Sequence, residues 1–211
     1  MKNLKIHLVI PITGLDDSSI SKRIEFLRSI AGPNTSISYS QVKQGPPAIE
    51  SLADHTQGAA EALKLIEPAE KAGANAIIIW CAGDPGVEAA RTLVDIPVIG
   101  PGESMRLLVS LLGKNPAAVP APLPVLELRK DLNKTLKLTK HLINDLIEEG
   151  YDSFYLDCLG MFGMGKLLRE ATGHPVIDPA ESSLKIAETM AELNLTHSRV
   201  AYPKYPPQHL R

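Results

Sequence analysis

Short apolar runs alternate with helix-like patterns along most of the 211-residue chain. Seven of these runs have the length and the residue types of buried strands. They lie at residues 5–11, 36–41, 76–80, 97–99, 125–128, 153–156 and 175–177. Strands that alternate with helices are typical of proteins with mostly parallel sheets. The pattern therefore predicts an α/β fold.

Four segments between these runs repeat apolar residues at helical spacing. The first segment begins after the polar pair at residues 17–18. The other three cover about 52–72, 133–149 and 179–193. Pro68 is expected to kink or restart the second helix, because proline cannot donate a helical hydrogen bond. The proline-rich tail from Tyr202 onward is expected to lie along the surface or against a neighbour.

A proline-rich segment at residues 115–124 separates the chain into two halves. Four prolines within ten residues exclude a helix and a central strand. We interpret this segment as a hinge. The first lobe would comprise residues 1–99 with about 183–211, and the second would comprise residues 100–182.

The two halves carry the same succession of motifs. The first half contains Cys81-Ala-Gly-Asp and then Pro97-Val-Ile-Gly-Pro-Gly-Glu-Ser, and the second contains Cys158-Leu-Gly-Met and then Pro175-Val-Ile-Asp-Pro-Ala-Glu-Ser. An internal duplication at about 77 residues explains this repeat. It predicts two pseudo-symmetric lobes, each with a short, mainly parallel sheet flanked by helices. The only two cysteines of the chain occupy equivalent positions in the repeat.

Cys81 and Cys158 both follow a predicted strand, where parallel sheets collect their functional groups. A following helix N-terminus is expected to lower a thiol pKa from about 8.5 towards neutrality. Two facing thiols could exchange a proton on opposite faces of a carbon next to a carbonyl, which is the chemistry of a racemase. Backbone N–H groups near 83–86 and 160–163 would then stabilise the enolate. The alternatives are an inert buried pair and a disulfide.

Five stretches carry a resemblance to known proteins: CAGDPGVEAAR at 81–91, GPPAIES at 45–51, CLGM at 158–161, PVID at 175–178 and the tail from Ser198 to Tyr202-Pro. They resemble the Asp/Glu/hydantoin racemase family, and within it the hydantoin and allantoin racemase branch. The resemblance covers most of the chain in order. It implies a cofactor-independent racemase of 5-substituted hydantoins or a related ureido ring, with Cys81 and Cys158 as the acid/base pair.

The resemblance also implies which residues contact the substrate. They are Pro11, Thr13, Pro46, Ile49, Gly83 and Asp84. Gly160 and Met161, which follow Cys158, are further candidates for substrate contacts. Three of these residues have an alternative role: Thr13 could only terminate a turn, Asp84 could cap a helix that begins near Gly86, and Met161 could pack in the core.

The chain departs from the family pattern in two places. The second half lacks about one strand–helix unit, so a three-stranded sheet is expected beside a four-stranded one. The first loop reads Ile10-Pro-Ile-Thr. Amino-acid racemases of the same superfamily usually follow their cysteines with Asn-Thr or Thr-Glu, whereas Ala82-Gly and Leu159-Gly follow them here. The resemblance therefore disfavours a free amino acid as substrate. The alternatives to hydantoin racemisation are amino-acid racemisation, decarboxylation or another isomerisation by the same scaffold, and non-catalytic binding of a small molecule.

The amino-acid composition limits which partners the protein is expected to bind. The chain has 22 Lys+Arg against 24 Asp+Glu and no basic block, which disfavours nucleic acid as a partner. No apolar run approaches the roughly 18 residues of a membrane span. The sequence offers no recognisable cofactor or metal site, and two cysteines are typical of a reducing compartment. We expect a cytoplasmic protein that binds a small-molecule substrate and, from the resemblance and the tail, forms a homo-oligomer.

Overall fold

The computed structural model describes residues 3–205 and contains two parallel sheets with helices around them. The strands are β1 (Leu4–Ile10), β2 (Thr35–Gln41), β3 (Ala76–Ile79), β4 (Val98–Ile99), β5 (Pro116–Val119), β6 (Ser153–Leu156) and β7 (Val176–Ile177). The helices are α1 (Asp17–Ile30), α2 (Leu52–Leu63), α3 (Ile66–Lys71), α4 (Val87–Arg91), α5 (Pro101–Val109), α6 (Leu132–Glu148), α7 (Gly165–Thr172) and α8 (Pro179–Glu192). A single 3₁₀ turn covers Leu159–Met161.

The first sheet has the order β2-β1-β3-β4, with every neighbouring pair parallel. Its central strands are almost entirely buried, which explains their continuous apolar runs. One face of β1 packs against α1 and α8, whose apolar stripes include Ile24 and Leu184. The opposite face packs against α2, α3 and α4 through residues such as Ile66 and Ala90. Helices therefore cover both faces of this sheet.

The second sheet has three parallel strands in the order β5-β6-β7. Phe154 and Leu156 of β6 are fully buried against apolar residues of α6 and α7, such as Ile143 and Leu168. The expected contrast between a four-stranded and a three-stranded sheet is confirmed, as is the α/β class.

The first strand of the second sheet is not where the sequence predicts it. Residues 125–128 form turns, and β5 lies inside the proline-rich segment instead. The strand prediction at 125–128 is wrong. Residues 116–119 of the predicted hinge form an edge strand, and the role of this segment as a hinge stays a prediction. Pro116 is tolerated because it is the first residue of an edge strand, where no partner needs its N–H. The apolar residue Leu128 is buried in the core of the second sheet without being part of a strand.

The long helical stretch at 52–72 is two helices, and the chain breaks at residues 64–65 rather than at Pro68. Pro68 lies in the first turn of α3, where the N–H groups have no intrahelical partner, so proline costs little there. The third predicted helix begins one residue early and ends before Gly150, which has a φ of +95°. This left-handed conformation is one that glycine adopts readily.

The described part of the tail lies against the first sheet. Nε2 of His197 accepts a hydrogen bond from Val98 N at 2.8 Å, and Tyr205 N donates to the carbonyl of Thr92 at 2.8 Å. The last prolines of the tail lie at residues 206–207, outside the described residues. Within residues 3–205, no helix combines the length and the apolar character that crossing a membrane requires.

The two halves share part of one core. Leu159 and Phe162, which follow β6, belong to the same apolar cluster as β1, α1 and α8. Helix α8, which follows the second sheet in the chain, packs on β1 and β3 of the first. The exact lobe boundaries at residues 99 and 183 stay a prediction.

Candidate active site

A cavity of about 490 Å³ opens where β3 and β6 end, and both cysteines line it. Cys81 lies two residues after β3, and Cys158 lies two residues after β6. Because the carboxyl ends of the two sheets face the same space, residues 77 positions apart in the chain meet there.

The backbone forms the same turn at both cysteines. Cys81 N donates to the carbonyl of Ile79 at 2.8 Å, and Cys158 N donates to the carbonyl of Leu156 at 2.8 Å. In each case the amide three residues later donates to the cysteine carbonyl, at 3.1 Å in the first half and 3.0 Å in the second. The duplication in the sequence is thus a duplication of the local geometry that holds the two thiols.

Both thiols are free, and both cysteines are only partly exposed. Burial raises the pKa of Cys81 to about 12 and the pKa of Cys158 to about 11. The N–H groups of Gly83 and Gly160 lower these values only in part, the second by a 3.4 Å hydrogen bond to Sγ of Cys158. The predicted fall of the thiol pKa is therefore wrong. Helix α4 begins six residues after Cys81, too far for its N-terminus to offset the loss of water.

Arg23 brings a positive charge to one side of the cavity. It lies on the buried face of α1, and its Nη1 donates to the carbonyl of Ser19 at 2.7 Å. The charge of Arg23 favours the thiolate of Cys158, which is one reason that this thiol has the lower pKa of the two. The Trp80 side chain lines the same cavity, directly before Cys81.

The proline-rich segment supplies one wall of the cavity. The lining includes Leu123 and Val125 from the loop after β5. The Val125 N–H donates to Oε1 of Glu50 at 2.7 Å, which ties this loop to the first half of the chain. Asp157 adds a second carboxylate to the lining, next to Cys158, and burial raises its pKa.

Five of the ten residues predicted for the site line the cavity. They are Cys81, Cys158, Ile49, Gly83 and Gly160. The other five, Pro11, Thr13, Pro46, Asp84 and Met161, lie outside its lining. Thr13 joins two of the predicted loops, since its N–H and its hydroxyl donate to the carbonyl of Pro46 at 3.0 and 3.3 Å. Met161 is fully buried in the core of the second sheet.

Asp84 caps a helix, but it is α5 rather than the helix that begins near Gly86. Its carboxylate accepts hydrogen bonds from the N–H groups of Gly102 and Glu103, both at 2.7 Å. It also forms an ion pair with Arg106 at 3.1 Å. These contacts occupy the carboxylate at the N-terminus of α5, where negative charge is favourable.

Comparisons with known proteins identify the family. The model of the Asp/Glu/hydantoin racemase family matches residues 18–124, slightly more than half of the chain. The chain belongs to the Asp/Glu/hydantoin racemase family. A hydantoin racemase from Pseudomonas sp. (strain NS671) is 29% identical, and the alignment covers 96% of this chain and 92% of the relative.

Solved structures agree with this assignment. The chain matches the allantoin racemase from Klebsiella pneumoniae with a TM-score of 0.86 and 26% identity, over 95% of this chain and 94% of the other. A glutamate racemase from Bacillus anthracis shares the fold, with a TM-score of 0.63 and 16% identity, over 92% and 84% of the two chains. Hydantoin and allantoin racemases are isomerases, and this member of the racemase family is accordingly an enzyme of the isomerase class.

Sequence reasoning missed four polar or aromatic residues of the cavity of this racemase-family protein. They are Arg23, Glu50, Trp80 and Asp157. A signal existed for three of them. Arg23 falls on the apolar face of α1, three residues after Ile20, and Trp80 and Asp157 each directly precede a cysteine of the repeat. Among the described residues, no group of three or more His, Cys, Asp or Glu side chains is placed to hold a metal ion.

Proposed function

We propose that the protein racemises 5-substituted hydantoins or a related ureido ring without a cofactor, with Cys81 and Cys158 as its two acid/base groups. The supporting observation is that both thiols line one cavity from equivalent turns of a duplicated chain. The names of its relatives, hydantoin racemase and allantoin racemase, support the substrate class.

The reaction needs one thiolate and one thiol. The thiolate takes the proton from C5 of the ring, and the electron pair of the C–H bond moves into the neighbouring carbonyl to form an enolate. The opposite thiol then donates its proton to the other face of C5. The product is the opposite enantiomer, and the two cysteines have exchanged their protonation states. The reverse reaction starts from that exchanged state.

The raised pKa values of the thiols fit this role. A thiolate formed on a group whose pKa is about 11 or 12 is a stronger base than an ordinary cysteine thiolate. The fraction of enzyme in the thiolate form is correspondingly small at neutral pH. The charge of Arg23 favours the anion on Cys158. Backbone N–H groups beside the cysteines would stabilise the enolate, and Asp157 would accept a hydrogen bond from a ring N–H.

Hydrogen–deuterium exchange at C5 tests this proposal. L- and D-5-benzylhydantoin and both enantiomers of allantoin are incubated in D₂O, and the C5 proton and the optical rotation are followed. We expect the wild type to exchange and racemise one of these pairs. Cys81→Ala and Cys158→Ala should both lose racemisation, and each should retain exchange of the one enantiomer whose C5–H faces the remaining thiol. Racemisation by either variant at the wild-type rate would contradict the mechanism.

We also propose that the enzyme acts in the cytoplasm as a homo-oligomer. Its two cysteines are free. Three leucines, Leu107 in the last turn of α5 and Leu111 and Leu112 directly after it, are more than half exposed. An apolar surface of this kind is typical of contacts between subunits. Sedimentation equilibrium measures the mass, and a monomer at micromolar concentration would contradict the oligomer.

A further inference from the structure

Two buried hydrogen-bond donors of the cavity have no partner. Nε of Arg23 and Nε1 of Trp80 are both buried, and no acceptor lies within hydrogen-bond distance of either atom. The two side chains are 5% and 4% exposed. Both residues line the cavity that contains the cysteines. Each of these atoms can only donate, so what they lack is an acceptor.

Both side chains pack against the ring of Phe162. The Trp80 and Phe162 ring centroids are 6.4 Å apart, and the Arg23 guanidinium carbon is 5.2 Å from the Phe162 centroid. Phe162 therefore contacts both of the residues whose donors lack a partner.

The charge of Arg23 is also unpaired. Among residues 3–205, no carboxylate forms an ion pair with this guanidinium. Burial and the nearby Arg129 lower the pKa of Arg23 to about 10, which leaves it charged at neutral pH. A buried charge without a counter-ion costs free energy. The Cys158 thiolate offsets this cost only in the small fraction of the enzyme that carries it, whereas a bound negative group would offset it throughout the reaction.

We infer that the C5 substituent of the substrate ends in a carboxylate, which accepts hydrogen bonds from Nε of Arg23 and Nε1 of Trp80. The inference rests on the proposed hydantoin racemase function and specifies its substrate. A carboxylate provides two oxygen atoms for two donors and a full negative charge for the guanidinium.

A carbonyl oxygen of the ring is a poorer match for Arg23. That oxygen becomes negative only in the enolate, so the guanidinium would stay unpaired in the bound substrate. The carboxylate compensates its charge in the ground state, in the enolate and in the product. Arg23 is buried in all of these states, so a group that is always negative is a better partner than one that is negative only in the enolate.

Paired substrates and a matched arginine variant test the inference. The probes are 5-(2-carboxyethyl)hydantoin and its neutral carboxamide, which have nearly the same shape. We expect the wild type to show kcat/KM for C5 exchange about tenfold or more higher with the carboxylate. Arg23→Gln and Trp80→Phe should reduce this preference to about threefold or less, while Arg23→Lys should retain part of it because it keeps the charge.

Arg129→Gln is the control. Arg129 lies over the same Phe162 ring, with its guanidinium carbon 3.9 Å from the centroid, but it is not part of the cavity lining. It should leave most of the preference for the carboxylate in place, because Arg129 acts on Arg23 only through its charge and does not line the cavity. If Arg23→Gln lowers kcat/KM equally for both probes, the guanidinium acts on the ring or on the fold, and the inference is wrong. A wild type without preference for the carboxylate also overturns it.

Binding separates this inference from the proposed function. Trp80 is the only tryptophan of the chain, so its fluorescence reports occupancy of the cavity without any turnover. If the wild type exchanges neither probe, the racemase proposal fails for this ring. Tighter binding of the carboxylate, lost in Arg23→Gln, would still support the carboxylate site. Equal binding of the two probes would overturn it. Circular dichroism establishes whether each variant is folded. If Arg23→Gln does not fold, Trp80→Phe replaces it, and calorimetry then measures binding because the fluorophore is absent.

Discussion

The carboxylate of Asp84 occupies the space that a side chain at position 100 would fill. A Cβ built on Gly100 would lie 2.5 Å from Oδ1 of Asp84, closer than a van der Waals contact allows. In the second half, the residue equivalent to Gly100 is Asp178. It caps the following helix itself, because its carboxylate accepts hydrogen bonds from the N–H groups of Ala180 and Glu181. Each half therefore places one carboxylate at a helix N-terminus, but from a different position of the repeat.

Gly100→Ala is expected to destabilise the fold by displacing this cap. The added methyl group would push the Asp84 carboxylate away from α5, and we expect the free energy of unfolding to fall by about 1–3 kcal/mol. Urea unfolding measures the change. Gly32→Ala is the matched control, since its new Cβ would meet its nearest neighbour at 3.4 Å. An equal loss in both variants would contradict the steric explanation.

Stability should fall in alkaline solution because of the two thiols. Their pKa values are raised in the folded state, to about 12 and about 11, so the folded protein binds more protons than the unfolded chain above pH 9. The stabilisation is complete below the unfolded pKa and is lost as the pH rises through the folded values. Between pH 8 and pH 10, each thiol should lower the free energy of unfolding by about 1 kcal/mol.

The comparison is between the wild type and the Cys81→Ala, Cys158→Ala double variant. Urea unfolding at pH 8 and at pH 10 gives the decrease for each protein. The double variant should lose less stability over this range, since other groups that titrate there are common to both. A parallel decrease in the two proteins would show that the thiols titrate normally.

Alkylation should distinguish the two cysteines. Only the thiolate reacts, so both should react with iodoacetamide at pH 7.5 about tenfold or more slowly than glutathione. Cys158 should react faster than Cys81, because Arg23 favours its thiolate. Mass spectrometry of timed digests measures both rates, and Arg23→Gln should reduce the advantage of Cys158. Faster labelling of Cys81 would contradict the order of the pKa values.

The hydrogen bond between Glu50 and Val125 should affect substrate binding. Glu50→Ala removes the acceptor that holds the loop at 121–125 against the first half, and we expect KM to rise several-fold with a smaller change in kcat. Steady-state racemisation kinetics measure both constants. Glu127→Ala is the control, because Glu127 is in the following turn and forms an exposed ion pair with Lys130. A fall in kcat alone would show that the loop acts on the chemical step.

Local patterns in the sequence were enough to predict the α/β class and the equivalence of Cys81 and Cys158, and the comparison with the family pattern added the unequal sheets. Buried parallel strands require continuous apolar runs, and the duplicated turns after β3 and β6 retain the same Cys-x-Gly pattern. These features are encoded by neighbouring residues, so they can be recognised without knowing what packs against them. The exception is β5, whose four residues are bounded by Pro116 and Pro120 and which depends on its pairing with β6.

Only the tertiary structure decided what the individual polar groups do. Asp84 caps α5 because the N–H groups it contacts, 18 and 19 residues away, are brought to it by the crossing from β3 to β4. Arg23 faces a cavity whose other walls come from residues far along the chain. The thiol pKa values rise because folding removes water from both cysteines, and the extent of burial is a property of the packed molecule.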